Sequence, residues 1–102
     1  MGKIFALKYS FHPEAELEFV DAINYYEKKE KNLGYDFSLE IYSTIERILA
    51  HPSAWPILED DIRRSLVNRF PYGVLYTQMD KEIIIIAVMH LNRDPDYWKD
   101  RI

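Results

Sequence analysis

The side chains best suited to acid–base and phosphate chemistry lie beyond residue 61: Arg63, Arg64, Arg69, His90 and Arg93. Together they suit chemistry at a phosphate, in which one group moves protons and cations hold the charge that builds on phosphorus. Histidine works in either direction near neutrality, so His90 is the acid–base candidate. Arg69 and Arg93 would hold the scissile phosphate, with Arg63 or Arg64 adding charge. Each residue also has a plainer reading. His90 could cap the end of a strand, Arg93 could pair with Asp94, and Arg69 could pair with an acid on a helix. Tyr97 and Trp98 suit anchors for the C-terminal tail, although stacking on RNA bases is chemically open to them. His12, His51 and His90 stand in unrelated contexts, so no metal site is expected. The absence of Cys removes thiolate ligands, a thiol nucleophile and disulfides. No cofactor is expected.

Composition limits what such a site could serve. At 102 residues, 48% hydrophobic and 15% aromatic, the chain is long and apolar enough for one buried core. A single domain over residues 1–102 is expected, with the tail from 90 to 102 on or near a sheet. The opening segment meets Lys8 too early for the apolar stretch of a signal peptide. The longest apolar run, Ile83 to Met89, is far short of the ~20 residues a membrane span needs. A soluble, cytoplasmic protein is the expectation. The net charge of −4 disfavours a broad phosphate-binding surface, but it conceals an asymmetry. Residues 1–61 carry six Lys and Arg against twelve acids, a balance of −6, and residues 62–102 carry seven against five, a balance of +2. Five of those last seven cations are Arg, whose planar fork suits phosphates and carboxylates.

The elements that must position these residues follow from periodicity. Lys3 to Tyr9 reads as a strand. His12 as cap, Pro13 at the first helical position and Glu14 and Glu16 in the first turn open a helix. Ala15, Phe19, Ala22, Ile23 and Tyr26 form one apolar stripe, and the remaining acids of that helix read as its solvated face. Asn32-Leu33-Gly34 is a stop, with Gly34 free to turn left-handed. Phe37, Ile41, Ile45, Ile48 and Leu49 mark a second helix that ends at His51-Pro52. A connection this short predicts an antiparallel helical hairpin. Pro52 to Asp61 reads as a loop. Ile62 to Phe70, Val74 to Gln78 and Glu82 to Met89 read as strands joined by tight turns. Ile83 to Ile86 faces both ways, so both faces of that strand should be covered. The predicted architecture is α+β, ordered β-α-α-β-β-β, with an antiparallel sheet and the helical hairpin on one face. Alternation groups Arg63, Ser65, Val67 and Arg69 on one side of their strand and Ile62, Arg64, Leu66 and Phe70 on the other. The second group is bulkier and is expected to meet the helices, leaving Arg63 and Arg69 on the open face near His90.

Particular residues carry a family likeness along nearly the whole chain. They are Ala22 with Tyr25-Tyr26-Glu27, Leu33-Gly34, Phe37, His51-Pro52, Trp55-Pro56, Arg63-Arg64, Arg69-Phe70-Pro71-Tyr72, Tyr76, Ala87-Val88-x-His90-x-x-Arg93 and Pro95-x-Tyr97-Trp98. In this order they resemble the RelE/ParE superfamily of type II toxin–antitoxin toxins, often labelled plasmid stabilisation proteins. The resemblance implies a compact toxin neutralised by a co-expressed antitoxin in a hetero-oligomer. ParE-like members inhibit DNA gyrase and are not nucleases, whereas RelE-like members cut mRNA at the ribosomal A site without a metal.

Three functional readings follow. The first is a toxin acting on gyrase by protein contact, for which Arg63, Arg64 and Tyr97 are target-binding candidates. The second is an mRNA endoribonuclease using His90, Arg69 and Arg93 on the translating ribosome. The third is a degenerate toxin that retains only antitoxin binding. Active RelE-like nucleases are basic overall, with extra lysines near the sheet. Here Glu59-Asp60-Asp61 precedes the second predicted strand, and ribosomal RNA would repel it.

Overall fold

A computed structural model describes residues 7–101. Most of the predicted first strand, Lys3 to Tyr9, therefore lies outside the described residues. The strand seen is β1, Lys8–Phe11. Helix α1, Pro13–Lys29, opens as its sequence predicts: His12 Nδ1 accepts from the Glu14 amide at 3.1 Å, and Pro13 follows at a position that needs no donor. Helix α2, Leu33–Ala50, follows after a short turn. The break falls at Asn32-Leu33-Gly34 as expected, but Asn32 takes the left-handed conformation, φ 72°, and Gly34 is helical. Asn tolerates that region because its short polar side chain bonds locally. Gly34 serves close approach instead. A Cβ there would collide with the Ile23 carbonyl, so its absence lets the start of α2 press against α1. Glu27, expected in a solvated helix end, accepts from the amides of Asn32 and Gly34 at 2.9 and 3.1 Å and satisfies donors at the start of α2.

Four further strands follow: β2, Ile57–Glu59; β3, Ile62–Leu66; β4, Tyr72–Met79; and β5, Glu82–His90. The sheet order is β1-β5-β4-β3-β2. The fold class is the predicted α+β arrangement, with two refinements. Ile57–Glu59, within the predicted loop, adds a short edge strand to β3. In addition, β1 joins β5 in parallel, with Lys8 opposite Glu82 and Phe11 opposite Ile85, while the other pairings are antiparallel. A parallel neighbour needs a long crossover, and here the helical hairpin and three strands provide it.

Both faces of the sheet are buried. Phe19, Phe37, Ile41, Ile45 and Ile48 from the helices pack on Val74, Tyr76, Ile83, Ile85 and Val88. On the other face Ile62, Leu75, Ile86, Ala87 and Met89 are covered by Trp98, which is 2% exposed. Ile86 and Ala87 are consecutive yet share that face, because the β4–β5 register slips between Leu75 and Tyr76. The slip is a β-bulge, and it changes the phase of everything after it. Ile83 and Ile85 face the helices before it, and Val88 does so after it.

The predicted facing of β3 is reversed. Arg63 lies opposite Tyr76 on the helix side, and Arg64 lies opposite Leu75 on the tail side. Bulk misled because the sheet has two buried faces: Ile62 is covered by the tail, whereas Val67 and Phe70 reach the helices from the loop after β3. Arg63 donates to the carbonyls of Ser53 and Trp55 at 3.2 and 2.6 Å, and the Tyr76 hydroxyl donates to the Pro52 carbonyl at 2.6 Å. These bonds tie the α2–β2 connection to the sheet.

Gly34→Ala should destabilise the fold by about 2 kcal/mol, since a methyl forced against backbone is overpacking. Denaturant unfolding would measure it, and an unchanged midpoint would refute the close-approach role. Burial pushes the Tyr76 phenol from 10 up to about 12, against a lowering influence from Arg63. The folded state therefore holds this proton more tightly than the unfolded state. Its contribution to stability is complete below pH 10 and is lost as pH rises from 10 towards 12. Tyr76→Phe should make that alkaline decline shallower.

Candidate functional site

The bulge decides where the predicted site residues fall. It turns His90 to the helix side of β5, opposite Tyr72, whose ring meets the imidazole edge-on at 5.1 Å. An open groove of about 370 Å³ runs there between α1 and the start of the tail, lined by Glu18, Asp21, Ala22, Tyr25, Tyr72, Val88, His90 and Arg93. His90 Nδ1 accepts from the Asn92 amide at 3.0 Å, so the neutral ring carries its proton on Nε2. Burial, reinforced by the neighbouring Tyr26 and Tyr25 rings, pushes the Tyr72 phenol up to about 12.

Arg69 does not line this groove. It occupies the loop between β3 and β4 in the left-handed conformation, φ 70°. Its guanidinium pairs with Asp36 of α2 at 3.6 Å and lies over the Phe70 ring. The plainer expectation for Arg69, an ion pair with a helical acid, describes it. Arg93 approaches Glu18 at 3.5 Å and lies 3.8 Å over the Tyr97 ring. Of the three residues considered for RNA cleavage, the structure thus brings two together, beside two carboxylates.

Glu18 is the residue that sequence reasoning missed. Its position off the apolar stripe predicts a solvated side chain, yet that side chain is only 12% exposed. One carboxylate oxygen accepts from the Val88 amide at 3.0 Å, and the two together accept a fork from Arg101 at 2.9 and 2.9 Å. Arg101, in a short 3₁₀ turn at Lys99–Arg101, also donates to the Ile86 carbonyl at 3.0 Å. The Glu18 hydrogen bonds raise the pKa of the Arg101 guanidinium above its ordinary value, outweighing burial. Tyr97 lies against both Arg93 and Arg101, with its hydroxyl buried beside Glu18 but without a well-formed hydrogen bond. Burial and Glu18 hold that phenol above its usual range. A signal for Glu18 existed: it stands three residues after Ala15 and four before Ala22, whose small side chains leave room for a strand. Arg101 had none.

Among the described residues no cluster of three or more His, Cys, Asp or Glu could hold a metal ion, and no helix is long and apolar enough to cross a membrane.

Two antiparallel helices on one face of a five-stranded sheet, with a pinned tail on the other, define a small α+β toxin-type fold. A family model for the ParE toxin of type II toxin-antitoxin system, parDE, matches residues 9–95, and the chain belongs to that family. It is a type II toxin component. A solved chain of the chromosomal ParDE TA system from P. aeruginosa shares the fold, with a TM-score of 0.74 at 14% identity over 87% of this chain and 100% of that one. Among curated proteins, no sequence matches the chain.

Glu18→Gln should cost about 3 kcal/mol, because it leaves the buried Arg101 charge without its counter-ion. Arg101→Ala should cost a similar amount, and the double variant much less than the sum. Chemical denaturation of the four proteins would show this coupling, and additive losses would refute it.

Proposed function

We propose that this toxin acts on DNA gyrase by protein contact, without nuclease chemistry, and that a cognate antitoxin relieves its growth arrest. The observation that carries this reading is the electrostatics of the His90 groove. Arg93, the cation beside His90, is engaged by Glu18, and Asp21 adds a second carboxylate. A scissile phosphate would meet Asp21 and a Glu18 already shared by Arg93 and Arg101, with no uncommitted guanidinium beside it. Arg69, engaged with Asp36, does not line the groove. Membership of the ParE family supports the same choice, since ParE-like members of the superfamily inhibit gyrase.

The RelE-like reading draws on one fact, that His90 and Arg93 share a groove with two tyrosines. Of the residues considered for target contact, Arg63 is held by loop carbonyls and Tyr97 is flanked by arginines. Arg64 alone among these three is engaged by neither a side-chain hydrogen bond or ion pair nor a cation–π contact with a described residue, and we place it foremost in target binding.

The purified chain should inhibit gyrase supercoiling while leaving mRNA intact in a translating extract. His90→Ala should still arrest growth at equal expression, and co-expressed antitoxin should restore growth. mRNA cleavage with gyrase unaffected would establish the nuclease instead, and harmless overexpression would indicate a degenerate toxin.

A further inference from the structure

Six arginines lie among the described residues, and the ways they are neutralised differ. Arg69 pairs with Asp36, while Arg93 and Arg101 both pair with Glu18. Arg63 donates to two carbonyls. Arg47 bonds only the hydroxyls of Ser43 and Thr44, at 3.0 and 3.1 Å, and Arg64 makes no side-chain hydrogen bond or ion pair with a described residue. These two, the arginines with neither a carboxylate nor a carbonyl partner, line the same cleft. It measures about 270 Å³ and is completed by Trp55, Pro56, Leu66 and Asn68. In a chain of net charge −4, a cleft with two guanidiniums and no carboxylate in its lining is an exception. Placing like charges together costs free energy unless an anion joins them.

We propose that this cleft, between the end of α2 and the outer face of β3, binds an acidic side chain in an apolar-flanked segment of a partner protein. The positive charge selects an anion, and the guanidinium forks suit a carboxylate. The rest of the lining selects its surroundings. Trp55, Pro56 and a half-exposed Leu66 would stay exposed to water beside a free phosphate, but would pack against the alkyl stem and apolar neighbours of a Glu in a peptide. Exposed Ile57 and Leu58 on the adjoining edge strand extend the apolar rim. Gly73 lies directly under the Arg64 stem: a Cβ there would stand 3.0 Å from its Cδ, so the bare backbone is what lets the side chain lie flat across the sheet. The proposal deepens the protein-contact reading by naming the partner chemistry, and it can be tested without gyrase.

The probe is the blocked peptide acetyl-Leu-Glu-Leu-amide, titrated into the full chain and followed by two-dimensional NMR, beside its Gln counterpart and inorganic phosphate. The Glu peptide should shift the Trp55 indole and the Arg47 and Arg64 side-chain signals, and the Gln peptide should bind at least tenfold more weakly, as expected for loss of charge-assisted hydrogen bonds (~1.5 kcal/mol or more). Arg64→Gln should weaken the Glu peptide by about tenfold, and Arg64→Lys by less, with both variants folded by their amide spectra. Equal binding of the Gln peptide, shifts that map elsewhere, or no shifts would each overturn the proposal. Phosphate binding tighter than the Glu peptide would also overturn it and assign a phosphate site. A failed peptide titration alongside intact gyrase inhibition would remove this cleft while leaving the proposed function standing.

Discussion

One carboxylate ties the first helix to the last described turn of this chain. Strand β1 stops opposite Ile85, while β5 runs on to His90, so the last part of β5 lacks a strand on that side. Glu18 and Arg101 supply what is missing. Glu18 receives the Val88 amide, and Arg101 reaches the Ile86 carbonyl, so a side-chain pair takes up the backbone bonding where the strand ends. The pair is stable because both charges are desolvated together and their remaining hydrogen-bonding capacity is used by Arg93 and the backbone. The anchored tail then lays Trp98 over the second face of the sheet, without which Ile62, Leu75 and Met89 would face water.

This arrangement also governs the electrostatics of the site. The basic half of the sequence, balance +2, does not form a basic surface. Arg69, Arg93, Lys99 and Arg101 reach acids on α2, α1, β2 and the tail, so much of the excess is used in cross-linking the fold. One arginine of that half, Arg64, has no carboxylate or carbonyl partner, and it shares its cleft with Arg47 of α2 rather than with His90.

The helices and the general course of the strands were legible in the sequence because their signals are local. His12-Pro13, the stripe from Ala15 to Tyr26 and the break at His51-Pro52 each act within a few residues. The facing of β3 and the turning of His90 were not legible. Both depend on which face of a doubly covered sheet a residue meets, and the run of isoleucines from 83 to 86 hides its bulge because every position is apolar. Glu18 was misread for a related reason. An acid beside an apolar stripe looks solvated until its partner, 83 residues away, is in place.

That separation has a consequence for the order of assembly. Lys8 pairs with Glu82, and Glu18 bonds Arg101, so the earliest described segment finds its neighbours only among the last. Closing loops of this span is entropically slow compared with forming the helical hairpin, and chain emerges from the ribosome N-terminus first. The nascent chain can form α1 and α2 while β1 still has no strand to join, and its tail cannot be pinned before Arg101 has emerged. Completion of this fold therefore waits for its last described segment, Lys99–Arg101.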